Sequence, residues 1–382
     1  MKPRINKLAR GVRVTLSVAA GAIAFYLACM DKGTPEAAIP FIWLFIWLSL
    51  VVHELGHAAG ARLYGMTVLR MNISGLEFHM QRRGWRMRQS RIPHRHIGGF
   101  VQAIPLFGQP ARPQLISLTL GGPLGNLVMT LLCGIGGWLL LPRHTASLAL
   151  SFAAVNLGSA LVNLVPYQGA MASDGLTLLR LLRGLEENAP SRVHMRLISR
   201  SFAGQTADQL PEDEVALLER QPAPMPLVAL WYRLKADQNR GHWASVDSRR
   251  IAFDAQEQAM TPAQKTAISD LLVILRTEFA FSRAMLTGDS AELAKDTIPA
   301  KLAWSLPWLQ PRCQALIAAL QGDSKRCTEL LETSRRKAEN SIDKAVWSSE
   351  SLLRTYIAAV DESSHRHQES ALLPHALSEP AT

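Results

Sequence analysis

Four long apolar runs limit what this chain can become. Residues 14–30, 39–64, 113–141 and 147–166 carry few charges. At a helical rise of about 1.5 Å per residue, each run can cross a hydrocarbon core of about 30 Å or come close to it. A basic leader with Lys2, Arg4, Lys7, Arg10 and Arg13 precedes the first run, and residues 62–112 hold nine arginines against one acidic residue, Glu77. Both biases place these segments on the cytoplasmic face. A signal peptide has the same charged-then-apolar order, but the first run is long and Tyr26 stands where a lipoprotein cleavage site needs leucine. The expectation is a multi-pass protein of the cytoplasmic membrane of a prokaryote.

Composition agrees once it is read locally. Charged residues make up 19% of the chain, below the roughly 25% of soluble domains, and the deficit lies in the first half. The net charge of +10 gathers beside the apolar runs, so no nucleic-acid partner is expected. Cys29, Cys133, Cys313 and Cys327 lack the spacing of a zinc ribbon or a disulfide framework and are read as packing residues.

Between the second and third runs, Leu69, Met71 and Ile73 alternate with Arg70, Asn72 and Ser74. After Ser74-Gly75, Leu76, Phe78 and Met80 alternate with Glu77 and His79. Period two about a turn predicts a small β-hairpin. His94 and His96 flank Arg95 in a basic loop and are read as solvated residues. After about Gly184 the apolar runs stop. Residues 186–226, with Pro211, Pro222, Pro224 and Pro226, suggest a linker, and a helical domain is expected over 227–364. Gly241, Gly288 and Gly322 sit in similar turn signatures, 47 and 34 residues apart, near the tetratricopeptide period; a generic helical bundle is the alternative. Residues 365–382 are expected to be disordered. The fold class is thus an α-helical polytopic membrane protein with about four transmembrane helices and a hairpin insertion over 14–185, plus a C-terminal all-α, tetratricopeptide-like domain.

The chemistry starts at His53-Glu54-Leu55-Gly56-His57, an HExxH pattern. On a helix, positions i and i+4 share a face, so both imidazoles reach one metal ion and Glu54 stands beside it. Ionisable side chains inside an apolar run are costly and call for compensation, which a metal provides. A third ligand is needed. The metzincin pattern is excluded, because Leu63 occupies its histidine position. Glu77 stands twenty residues downstream but within the hairpin. Asp174 is the better candidate, because Pro166 breaks the fourth run and lets the chain bend back to the depth of the histidines.

Taken together, HELGH closing a run, Gly-Gly-Phe-Val-Gln-Ala-Ile-Pro at 98–105, Gly-Gly-Pro-Leu-Gly-Asn at 121–126, and Asn163-Leu164-Val165-Pro166 followed by Asp174-Gly175 resemble the site-2 protease family over residues 39–180. The resemblance implies an intramembrane zinc metalloendopeptidase with His53, His57 and Asp174 as Zn2+ ligands and Glu54 as catalytic carboxylate. It implies a substrate-binding role for Asn163; Asn126 is a second substrate-binding candidate, although small residues around it also suit close helix packing. Seven residues separate Pro166 from Asp174, more than in the compact family pattern. The expected partners are the lipid bilayer, a membrane-anchored protein substrate paired along residues 69–80 or 98–104, and a protein partner for the C-terminal domain. The rivals are a catalytically silent membrane scaffold, against which the intact Glu54 argues, and a transporter, which would need more spans and more intramembrane carboxylates.

Overall fold

The computed structural model describes residues 3–32, 35–89, 98–139, 142–169, 171–184, 189–295 and 298–372. The chain forms two compact units, Met1–Glu186 and Glu187–Thr382.

The first unit is built on α1 (Pro3–Lys32), α2 (Pro35–Leu63), α3 (Ala111–Leu139), α4 (Arg143–Leu164) and the short α5 (Asp174–Arg183). Four segments are long and apolar enough to cross a membrane: Arg4–Met30, Pro35–Leu63, Ala111–Leu139 and Thr145–Leu164. They coincide with the four runs. The basic leader is helical and continuous with the first span. Helices α2 and α3 meet backbone to backbone, since a Cβ on Gly56 would stand 2.3 Å from the Gly121 carbonyl oxygen. Such close approach is how helices associate where lipid removes the hydrophobic drive.

The expected hairpin is part of a larger sheet. Strands β1 (Thr67–Ile73), β2 (Leu76–Gln81), β3 (Gly84–Gln89) and β4 (Gly99–Ile104) form an antiparallel sheet in the order β3-β2-β1-β4. Ser74 and Gly75 turn β1 into β2 with φ of +48° and +88°, the signs a two-residue I′ hairpin requires. A bulge between Val68 and Arg70 opposite β4 leaves Leu69 out of the ladder and lets Val68, Met71 and Ile73 all be buried. Ala61, Met66 and Val68 pack with Val101, Leu115 and Leu118, which seats the sheet on the ends of α2 and α3.

In the second unit, the stretch read as a linker is folded. It holds α6 (Pro190–Ala203), a 3₁₀ turn (Ala207–Gln209) and α7 (Glu212–Glu219). Val193, Leu197, Val215 and Leu218 pack there against Ala229 and Tyr232 of α8 (Met225–Asn239). Pro190, Pro211, Pro224 and Pro226 do not break these helices because they stand at their starts, where a missing N–H costs little, and Pro222 lies in the connection before α8. Then follow α9 (Trp243–Ser248), α10 (Arg250–Gln258), α11 (Pro262–Ala267), α12 (Ser269–Thr287), α13 (Ala291–Lys295), α14 (Ala300–Ser305), α15 (Leu309–Leu320), α16 (Ser324–Ala338) and α17 (Lys344–Leu372). Gly241, Gly288 and Gly322 take left-handed φ of 71°, 74° and 75° just beyond α8, α12 and α15, as their turn signature requires. The hairpins they close are unequal. Helices α9 and α13 have six and five residues, and among the three only α15–α16 pairs two full helices, so a regular repeat is not established. Helix α17 continues to Leu372, into the stretch expected to be disordered; residues 373–382 lie outside the described ones.

Candidate metal centre

One turn of α2 presents His53, Glu54 and His57, all buried. Each imidazole is fixed through Nδ1. The His53 Nδ1–H donates to Asn126 Oδ1 at 2.6 Å, and the His57 Nδ1–H donates to the Leu118 carbonyl at 2.7 Å. Both partners lie on α3, so the α2–α3 crossing sets the ring orientations and leaves both Nε2 lone pairs to face one point.

Asp174 reaches that point through the lengthened loop. Ser173 stitches it: its hydroxyl accepts from the N–H groups of Tyr167 and Leu176 and donates to the Val165 carbonyl, while its own N–H donates to the Tyr167 carbonyl. Gln168 and Ala172 add an antiparallel bridge. The described residues between Pro166 and Asp174 therefore form a small loop whose ends meet, and α5 starts close to where α4 stops. Gly175 permits this closeness, since a Cβ there would stand 1.8 Å from the Leu164 carbonyl oxygen. The loop is also tied to α1. Asn6 and Gln168 exchange two hydrogen bonds of 3.0 and 2.9 Å, and Arg13 donates to the Val162 carbonyl with its guanidinium 5.1 Å from the Tyr167 ring centre.

The result is compact. The two Nε2 atoms are 3.1 Å apart, Asp174 Oδ2 lies 3.1 Å from His53 Nε2, and Asp174 Oδ1 lies 3.5 Å from His57 Nε2. Ligands at about 2.0–2.1 Å from a tetrahedral ion stand about 3.3 Å from one another, so the set fits an ion such as zinc. The donor chemistry points the same way, because two imidazole lone pairs and a carboxylate converge with no protein donor between them. Among the described residues, His53, His57 and Asp174 form the one group of at least three such side chains with the spacing of a metal site.

Glu77, the alternative third ligand, is elsewhere engaged. It is buried in the sheet, 2.8 Å from Arg88, 2.9 Å from His79 and 3.4 Å from Arg70. Burial would raise its carboxyl, yet hydrogen bonds from Arg88 and His79 hold it below the usual range.

Glu54 faces the same cavity of about 550 Å³ as the three metal-binding candidates. Its Oε2 has no hydrogen-bond partner. Strand β4 passes directly over it: a Cβ on Gly99 would stand 2.4 Å from Glu54 Oε1. Asn163 lines this cavity. Asn126 lies wholly buried beside His53, with its Nδ2 reaching Ser49 and Asn156. His94 and His96 lie outside the described residues. Arg13, Asn6 and Ser173 were not legible as parts of the site: the first two read as leader, and only their pairing with the loop reveals them.

The sequence profile of peptidase family M50 matches residues 41–234, slightly more than half of the chain. The chain belongs to peptidase family M50. No curated protein and no solved structure matches it. The family is one of metallopeptidases, and membership agrees with the His53-His57-Asp174 group and with the four apolar helices. The matched span of this M50 chain starts inside α2 and ends inside α8, so it takes in every residue of the metal centre except those contributed by α1.

Proposed function

We propose that this M50 chain is an intramembrane zinc endopeptidase that cleaves membrane-anchored proteins in or near their transmembrane segments. The observation that carries the reading is the convergence of His53, His57 and Asp174 beside an unpartnered Glu54 carboxylate, in a cavity bordered by an edge strand. His53 and His57 through Nε2, and Asp174 through its carboxylate, are the residues that hold zinc. When bound, zinc supplies Lewis acidity for the scissile carbonyl and for water. Glu54 takes the proton of the attacking water and passes it to the leaving amine. Asn163, on the cavity wall, is placed to hydrogen-bond the substrate backbone or the developing oxyanion.

A peptide bond in a helix is shielded by its own hydrogen bonds, so the substrate must be locally extended. Of the two segments expected to pair with it, β1 and β2 already have strands on both sides, whereas β4 pairs with β1 only. Gly98 to Val101 line the cavity, so a substrate added to the free edge of β4 runs past Glu54. A second cavity, about 390 Å³, shares Leu50, His53 and Asn163 with the first and extends along Trp43 and Trp47, which supports access from the lipid side. On this reading the leader, the arginine-rich segment and the C-terminal unit are cytoplasmic, and the C-terminal unit acts on substrate choice.

Glu54→Gln tests the mechanism. The purified variant should keep about one zinc per chain while cleavage of a co-reconstituted single-span substrate falls by at least about 100-fold. Wild-type cleavage rates in a zinc-loaded variant would refute the assignment.

A further inference from the structure

The C-terminal unit holds a cavity of its own, about 260 Å³, lined wholly by residues of that unit. Three aromatic rings form part of its wall: Trp231 and Tyr232 of α8, and Trp308 just before α15. The rest of the wall is mostly apolar or neutral, with four charged side chains set into it. Lys235 comes from α8, Glu278 from α12, and Asp343 and Glu350 from the start of α17.

The charges do not close on one another. Arg312, fully buried behind the cavity, donates to Glu278 Oε2 at 2.7 Å and to Glu350 Oε1 at 2.6 Å, and Lys235 Nζ lies 3.4 Å from Glu278 Oε1. Glu278 thus has two cations. Glu350 has one, and its Oε2 has no donor although the side chain is only 3% exposed. Buried acceptors are nearly always satisfied, so an orphan of this kind on a cavity wall calls for a ligand. Asp343 precedes Glu350 by seven residues and shares its face of α17. It accepts from the Ser201 hydroxyl and the Ala345 N–H, and no cation pairs with it among the described residues. Burial pushes its carboxyl above the usual range, with the Ser201 hydrogen bond opposing.

We propose that this cavity is a receptor site for a cationic side-chain group, an alkylguanidinium or alkylammonium. Glu350 supplies its acceptor, Asp343 the uncompensated negative charge, and Trp231 and Trp308 the faces against which the stem and cation pack. Charge-assisted hydrogen bonds to carboxylates and cation–π contacts with indoles are the interactions that select such groups. An anionic ligand would meet the Asp343 carboxylate and the undonated Glu350 Oε2, which disfavours it. The group belongs either to an arginine or lysine of a partner protein or to a free basic amine; the site chemistry is the same.

Calorimetric titration of the full-length, detergent-solubilised chain tests this. The probes are argininamide and citrullinamide, both Nα-acetylated so that the second is the neutral isostere of the first, and a capped pentapeptide with a central arginine. Argininamide should bind at least about 10-fold more tightly than citrullinamide, and Asp343→Asn should weaken it by about 10-fold. Val346→Trp, which fills the cavity, should abolish binding. Glu350→Gln should also weaken it; because that change strips Arg312 of a partner, Asp343→Asn, on which no protein cation depends, carries the test if Glu350→Gln fails to fold. Tighter binding of the peptide than of argininamide identifies a partner segment, and equal binding identifies a free amine. The proposal is overturned if citrullinamide binds equally well, if wild type binds neither cationic probe, or if binding survives both Asp343→Asn and Val346→Trp.

Discussion

Both units bury polar groups, and they do so on opposite plans. The first unit buries His53, Glu54, His57, Asn126 and Asn156, and a hydrogen-bond chain runs outward from His53 Nδ1 through the neutral amides of Asn126 and Asn156. The second buries Lys235, Glu278, Arg312 and Glu350 in a network of full charges. Amides orient a ligand without adding charge at a membrane depth where charge is costly. A buried ion network adds little net stability over an apolar core, but loss of one member strands another charge. On the proposed reading, changes to the first plan should register in metal affinity and changes to the second in folding.

Four substitutions break or sharpen that contrast. Asp174→Ala should have the largest effect. Zinc occupancy by metal analysis should collapse and cleavage should fall well beyond the 10–100-fold typical of an outer-shell loss, while Glu77→Ala leaves zinc in place. The reverse outcome would return Glu77 as the ligand. Glu278→Gln should leave zinc untouched and destabilise the C-terminal unit by about 3–5 kcal/mol in denaturant, because Arg312 loses a buried partner. Burial would raise the Glu278 carboxyl, but Arg312 and Lys235 draw it down to about 2. Its contribution is thus complete above about pH 4.5 and is lost as the pH falls toward 2, so the variant should lie closest to wild type in acid. Equal destabilisation at pH 7 and pH 2 would contradict the ion-network account. Asn126→Ala should weaken zinc binding by about 10–100-fold in competition with a chelator, with the fold retained. If it altered only KM for substrate, the substrate-binding role would stand instead. Gly99→Ala should have the smallest effect, about 10-fold on kcat/KM with zinc unchanged, because its methyl group displaces Glu54 or β4 by a fraction of the barrier a lost base imposes. A loss of zinc would mean that β4 supports the ligands themselves.

Most of what was legible in the sequence is local. The i, i+4 histidines, the Ser74-Gly75 turn and the αL glycines at 241, 288 and 322 each follow from a period or a dihedral preference within a few residues. The misreadings have one source. Residues 186–226 looked like a linker because prolines were counted without their helix-start positions, and the apolar faces of α6 and α7 become visible only against α8. The hairpin was legible and the larger sheet was not, because β4 joins β1 across the segment that separates them in sequence.

By itself, then, the sequence determined four membrane-length helices, the two histidines and glutamate on one face of the second, and a helical C-terminal region, since each is set by the 3.6-residue period and hydropathy. Only the tertiary structure decided that Asp174 and not Glu77 joins the histidines, that Asn126 stands behind His53, that Asn6 and Arg13 hold the loop, and that β4 lies over Glu54. These are hydrogen bonds and close approaches between groups far apart in sequence. Their existence depends on how helices cross and loops close, and no local preference encodes that.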